Sequence, residues 1–405
     1  MRHYLIVTAG YWAFTVTDGA IRMLVVLYFH LLGYSPFEVA MLFLFYEFFG
    51  IVTNLVGGWL GARIGLNLTM HIGMGMQVVA LILLTVPDAW LSVPYVMFAQ
   101  ALSGIAKDLN KMSAKASVKM LAGVGDESKL FKWVAILTGS KNALKGAGFF
   151  VGAALLQWIG FRGALAVLAA MLSIVLIVTA VMLPSGVGKM KSKPKFTQVF
   201  SNRPEINWLA AARFFLFGSR DAWFVVGLPV FLYSVLGWSF TQVGAFLALW
   251  VIGYGFVQAS APRLLQRGHQ GRGPGGGMAR QWIFLLALVP VGIALAIGQG
   301  WDPAVVLIIG LILFGIVFAI NSAVHSYLIL AYSDFDKVSM SVGFYYMANA
   351  GGRLTGTVLS GWAYQNHGLE GCLWWSAGFV LAAALLSYRL PEVSTDTSKG
   401  NVKSA

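Results

Sequence analysis

About twelve stretches of roughly 20 predominantly apolar residues, joined by short polar connections, leave this chain a lipid bilayer to fold in. A stretch of that length matches a hydrocarbon core of roughly 30 Å, and its backbone groups must be satisfied within the segment, so each reads as a helix. Hydrophobic residues make up 58% of the 405 positions and charged ones 11%, too apolar for an ordinary soluble protein. The spans fall near Thr8–Leu32, Glu38–Gly61, Thr69–Val86, Leu91–Met112, Lys132–Trp158 and Gly163–Leu183. They continue near Ile206–Leu236, Val243–Leu265, Gln281–Ile297, Pro303–Tyr332, Gly343–Tyr364 and Gly371–Leu390. The expected class is an all-α integral membrane protein.

The net charge of +13 would suit nucleic acid in a soluble domain. Here the basic residues alternate by connection: Arg63, then Lys115, Lys119 and Lys129, then Lys189 to Arg203, then Arg263 to Arg280, then Lys337. The other connections carry none apart from Arg162. The positive-inside rule then puts both termini in the cytoplasm, makes lipid rather than nucleic acid the expected partner, and suits the inner, cytoplasmic membrane. Met1 to Leu5 lead straight into a long span with no small-residue cleavage site, so no removable leader is expected. Cys372 is the only cysteine and the histidines show no ligand spacing, so neither a metal site nor a cofactor is expected.

The two halves of the chain repeat one another. Leu32-Gly33-Tyr34-Ser35 through Val39 matches Leu236-Gly237-Trp238-Ser239 through Val243, and Asp18 lies nearly opposite Asp221. Gly104 and Asn110 match Gly315 and Asn321. Gly160-Phe161-Arg162-Gly163 matches Gly368-Leu369-Glu370-Gly371, an offset that sets Lys145 on Arg353. Four matches in one helix order predict a duplicated six-helix unit. The division is 1–183 and 206–391 as two pseudo-symmetric bundles, 184–205 as a basic cytoplasmic loop, and 392–405 as a cytoplasmic tail. Between the second and third spans, Gly58-Trp59-Leu60-Gly61-Ala62-Arg63-Ile64-Gly65 resembles the signature loop of the major facilitator superfamily. Gly58, Arg63 and Gly65 are the gating positions this resemblance implies. Ala62 stands where that family normally has Asp, and Leu66 and Asn67 stand where basic residues usually follow, so the loop's charge relay is incomplete.

Charges inside the spans point to the cargo. A cation at mid-helix costs about 2.5 to 3.5 kcal/mol on insertion scales, so it is kept for a pathway, a partner or a ligand. Asp18 and Arg22 are one turn apart, about 15 and 21 Å into the first span, and can meet on one face. Arg22, Lys107, Lys141, Lys145, Arg220 and Arg353 outnumber Asp18, Asp108, Asp221 and Glu47. Lys141 and Lys145, one turn apart, require an anion or a carboxylate between them. For Arg213 snorkelling to the cytoplasmic edge and a place inside the bundle both stay open, and Lys111 and Lys115 are expected to reach the interface. The excess favours a multiply charged anion, with Arg forks matching phosphate oxygens and Asn110 and Asn321 as polar contacts. Asp18, Asp221, Glu47, Asp108 and His325 are the candidates for a proton or charge relay. No Ser/His/Asp or Cys/His set stands at recognisable spacing, so an enzyme is not expected.

The long runs are more specific. Tyr11-Trp12-Ala13-Phe14 with Thr17-Asp18-Gly19-Ala20, the run Ala101 to Lys115, and Gly139-Ser140-Lys141-Asn142-Ala143-Leu144-Lys145-Gly146 resemble the ArsJ group, the organoarsenical efflux transporters of that superfamily. Lys193-Pro194-Lys195-Phe196, Arg220-Asp221 with Trp223, and Gly253-Tyr254-Gly255 extend the likeness. The resemblance implies export of 1-arseno-3-phosphoglycerate, conferring arsenate resistance, and a functional link to the glyceraldehyde-3-phosphate dehydrogenase that makes it from arsenate. An exchanger of ordinary organophosphates and a non-transporting anion sensor are the rival readings. The expected mechanism is alternating access, with Lys145 and Arg353 as a symmetric clamp and Arg22 and Arg220 at the other anionic end.

Overall fold

A computed structural model describes residues 2–33, 42–122, 127–184, 186–189, 200, 203–225, 227–238, 240–265, 273–334 and 337–393. Every regular element among them is helical. The first half holds α1 (Arg2–Leu31), α2 (Leu44–Ile64), α3 (Leu66–Leu83), α4 (Val93–Ala122) and α5 (Glu127–Met182), with a single 3-10 turn at Asp88–Trp90. The second half holds α6 (Pro204–Phe224), α7 (Gly227–Ser234), α8 (Phe240–Leu265), α9 (Gly276–Gly298), α10 (Pro303–Tyr332) and α11 (Val338–Ser387). The expected second span begins at Glu38, and much of the expected 184–205 loop and 392–405 tail, including Lys191, Lys193 and Lys195, lies outside the described residues.

α5 and α11 are each twice the length of a membrane crossing, and each turns back at one glycine: Gly160 (φ 71°, ψ 176°) and Gly368 (φ 64°, ψ −162°). Left-handed φ at these positions is open to glycine and strained for other residues. The expected fifth and sixth spans, and the eleventh and twelfth, are therefore paired helices that meet at a sharp non-helical turn on a repeat-matched glycine. Counting α6 with α7 as one broken crossing, the described helices make twelve crossings. Gly33 (φ 87°) and Gly237 (φ 69°), another matched pair, both have a left-handed φ. At α10, Asp302 caps the helix by accepting from the Ala304 and Val305 amides at 2.8 and 3.1 Å, with Pro303 in the first turn.

The outside of the molecule is apolar. Ile174, Val181, Leu288 and Ile309 are each more than 60% exposed, a surface that water penalises and lipid accepts. With no hydrophobic drive between helices in lipid, close backbone approach carries the packing. In the first half α1 meets α5 at Gly19 against Gly148 and at Gly152 against Ala20. The second half repeats this where α6 meets α11, with Gly218 against Gly352 and Gly356. A Cβ on Gly352 would lie 2.0 Å from the Phe214 carbonyl oxygen.

The halves touch along α2 with α11 and α5 with α8. Gly58 lies against Gly343, and the Ser339 hydroxyl donates to the Gly58 carbonyl at 2.8 Å. A Cβ on Gly139 would lie 2.4 Å from the Ala259 amide and the Gly255 carbonyl. These contacts cluster toward the end that carries Arg63, Arg263 and Lys337, called the basic end below.

Candidate anion site between the two halves

Where α1, α4, α5, α6, α8, α10 and α11 converge, they enclose a cavity of about 90 Å³. Ligand pockets usually run to about 300–1,000 Å³, so this one is contracted and has room for a few waters at roughly 30 Å³ each. Helical spacing builds its wall: Lys107, Lys111 and Lys115 fall at four-residue steps on α4, Thr138, Lys141, Asn142 and Lys145 on α5, Arg213, Phe217 and Arg220 on α6, and Tyr346, Asn349 and Arg353 on α11. Eight cations line the space, and Asp108 is the one carboxylate among its lining residues.

Five of these cations are compensated. Lys145 Nζ lies 3.0 Å from Asp18 Oδ2, and Tyr46 donates its hydroxyl to the other Asp18 oxygen. Arg353 Nε lies 3.1 Å from Asp221 Oδ2, while Arg220 Nη2 takes Asp221 Oδ1 at 2.5 Å. Thus the repeat-matched cations hold the repeat-matched acids, one pair in each half. Glu47 gathers Arg353 at 2.8 Å, Arg22 at 3.3 Å and Lys107 at 3.8 Å. Asp108 pairs with Lys111 and, at 3.7 Å, with Lys107.

Lys115, Lys141 and Arg213 have no carboxylate partner among the described residues. Arg213 is 2% exposed, with Nε on Asn349 Oδ1 at 2.8 Å, Nη1 on Ser322 Oγ at 3.2 Å, and its guanidinium 3.7 Å above the Phe217 ring. It does not snorkel, because those neutral partners hold it inward. Lys115 is 3% exposed, over the Tyr346 ring, with Nζ 3.4 Å from Ser326 Oγ. Neither it nor Lys111 reaches the interface: their stripe on α4 turns inward.

Other expectations also change. Asp18 and Arg22 do not pair; Arg22 is drawn to Glu47 and stacks at 5.1 Å on Phe43 and on Tyr46, away from the cavity wall. Asn110 donates to the Ala106 carbonyl and packs against Gly73 of α3, while Asn321 donates to the Ala279 carbonyl of α9 at 3.1 Å. Both are fully buried helix-packing groups rather than cavity contacts. His325 is fully buried off the cavity wall, with neither ring nitrogen hydrogen-bonded among the described residues. Arg63 lies exposed over Trp59 at 5.1 Å, and Gly65 ends α2 with φ 104°. Lys107, Lys141, Lys145, Arg220, Arg353 and Asp108 do line the cavity. The lining residues not singled out as contacts, Arg213, Lys111 and Lys115 above all, were visible as four- and seven-residue continuations of the same stripes.

The sequence model of the Major Facilitator Superfamily matches residues 7–279. No curated protein matches the chain in sequence. Among solved structures, the proton:xylose symporter XylE bound to 6-bromo-6-deoxy-D-glucose superposes with a TM-score of 0.76 at 14% identity, covering 97% of this chain and 96% of that one. A bacterial homologue of the iron transporter ferroportin in an outward-facing state gives 0.74 at 15% identity, covering 96% and 99%. The human organic anion transporter MFSD10 gives 0.74 at 16% identity, covering 95% and 99%. At these identities the likeness speaks for the fold. Together with the matched sequence model it places the chain: it belongs to the major facilitator superfamily, as a multi-pass membrane transporter and not an enzyme.

Proposed function

We propose that this transporter exports a small, multiply charged anion from the cytoplasm, and that its cargo is the phosphorylated arsenate ester 1-arseno-3-phosphoglycerate implied by the resemblance to the ArsJ group. One observation carries the anion reading: eight cations line the central cavity, and the carboxylates around them compensate only five. A neutral sugar or a cation entering that space would leave the excess uncompensated. Soft thiolates, which trivalent arsenic prefers, are represented by Cys372 alone, buried against the Ser360 carbonyl.

In this reading the basic end faces the cytoplasm of the inner membrane, and the two halves rock about the cavity. An entering anion competes with Glu47 for Arg353 and so loosens the ion pair that ties the halves together. Lys145 and Arg353 act as the matched clamp, each giving up part of its carboxylate contact to cargo. Uptake of the arsenate-derived ester into inverted vesicles, with and without a proton gradient, tests the reading, and absence of uptake in both arms refutes it. Counterflow against unmodified phosphoglycerate separates it from the organophosphate exchanger, which the same cations would serve.

A further inference from the structure

We infer that Lys115, Lys141 and Arg213 form the subsite that takes a dianionic tetrahedral oxyanion group, phosphate- or arsenate-like, at the cavity's basic end; this rests on the anion-transport reading above. Lys145 and Arg353 already hold carboxylates, so an anion reaching them replaces one negative partner by another. The three acid-free cations gain a partner outright. Removing a guanidinium from water without a counter-charge costs several kcal/mol, and Arg213 sits 2% exposed among neutral groups.

The geometry makes these residues one site. Arg213 reaches Ser322 and Lys115 reaches Ser326, one turn further along the same face of α10. Lys141 adjoins Asn142, whose amide donates to Gln258 Oε1 at 2.8 Å, and Gln258 donates on to Ser322 Oγ at 3.1 Å. The scaffold therefore draws on both halves: neutral partners fix Arg213 and Lys115 and leave their charge free, while Lys141 lines the same cavity. Two further groups aim at a ligand: the hydroxyls of Tyr11 and Thr138 line the cavity, buried and without a hydrogen-bond partner among the described residues. A dianion meets three cations there, whereas a single carboxylate would leave two uncompensated.

The test uses the full-length chain purified in detergent, with binding of inorganic phosphate, glycerol 3-phosphate and glycerate measured by calorimetry at constant ionic strength. Both phosphate-bearing probes are expected to bind and glycerate to bind at least about tenfold more weakly, a factor worth about 1.4 kcal/mol. Tighter binding of glycerol 3-phosphate than of phosphate identifies an ester as the natural ligand; equal binding identifies the free oxyanion. Lys115→Gln, Lys141→Gln and Arg213→Gln should each weaken phosphate binding at least about tenfold, as expected for losing a buried charged contact. Arg213→Lys should restore part of it, and Arg389→Gln, on the exposed surface, should leave it unchanged. If Arg213→Gln does not fold, Lys141→Gln decides, since its side chain has no ion-pair partner to lose among the described residues. Native affinity in the three variants, with loss confined to Lys145→Gln and Arg353→Gln, overturns the subsite. Glycerate binding as tightly as phosphate overturns its dianion selectivity while leaving anion transport standing. Binding of none of the three probes by the native chain overturns both.

Discussion

Arg353 donates from Nη2 to Glu47 Oε1 at 2.8 Å, joining residues 306 positions apart and tying α11 of one half to α2 of the other. Its repeat counterpart Lys145 has no such link, because the position matching Glu47 at the offset of the 32–39 and 236–243 repeat is Val251. The duplicated unit thus keeps one cation–carboxylate pair in each half, Lys145 with Asp18 and Arg353 with Asp221, and adds, among the described residues, one cross-half ion pair on one side.

Arg353→Gln removes that bond and leaves Glu47 and Asp221 with fewer cations, and Lys145→Gln leaves Asp18 with its tyrosine alone. Each variant is expected to abolish organoarsenical export from loaded vesicles while the protein still inserts. Export at the native rate in both would sink the clamp.

The pairing itself is open to a double-mutant cycle. Lys145→Gln leaves Asp18, 2% exposed, as an uncompensated buried charge, with an expected cost of about 3–5 kcal/mol. Adding Asp18→Asn removes the orphaned charge and should recover more than half of the loss in thermal stability. Additive losses in the double variant would show that the two residues do not interact.

Much of this arrangement was legible in the sequence, and the rest had physical reasons to be hidden. Apolar length fixes the spans, and the repeat marks Gly160 with Gly368 and Asp18 with Asp221, because duplication preserves special backbone and charge at matching places. Depth along a helix does not reveal the direction a side chain takes. Lys115 lies in the last third of α4 and Arg213 in the first half of α6, positions from which a long cation can snorkel, yet serines on α10 and an asparagine on α11 draw them inward. Asn110 and Asn321 matched in the repeat because both serve helix packing, a constraint that duplication preserves as faithfully as it preserves a binding contact.

Asn321→Ala separates those two roles. It deletes the bond to the Ala279 carbonyl and is expected to cost about 1 kcal/mol of stability, seen as a lowered melting temperature, with export unimpaired. A large drop in cargo affinity with unchanged stability would return Asn321 to the binding site.

Closure of the basic end rests on a backbone contact at Gly343. There Gly343 meets the second helix so closely that a Cβ on it would lie 2.6 Å from the Asn54 carbonyl and 2.7 Å from Gly58 Cα, both backbone, which cannot rotate aside. Gly343→Leu should therefore hold this end apart. The sole cysteine, Cys372, is buried, so a Cys372→Ser background gives a clean reporter. On that background Ser326→Cys places a thiol beside Lys115, fully buried in the closed arrangement. An impermeant maleimide added from the basic side should label it slowly in the parent and about tenfold faster with Gly343→Leu, the shift expected if closure is disfavoured by about 1.4 kcal/mol. Net export should fall, since a transporter that cannot close one end cannot complete a cycle. Equal labelling rates in the two backgrounds would mean that the glycine contact is not what seals the basic end.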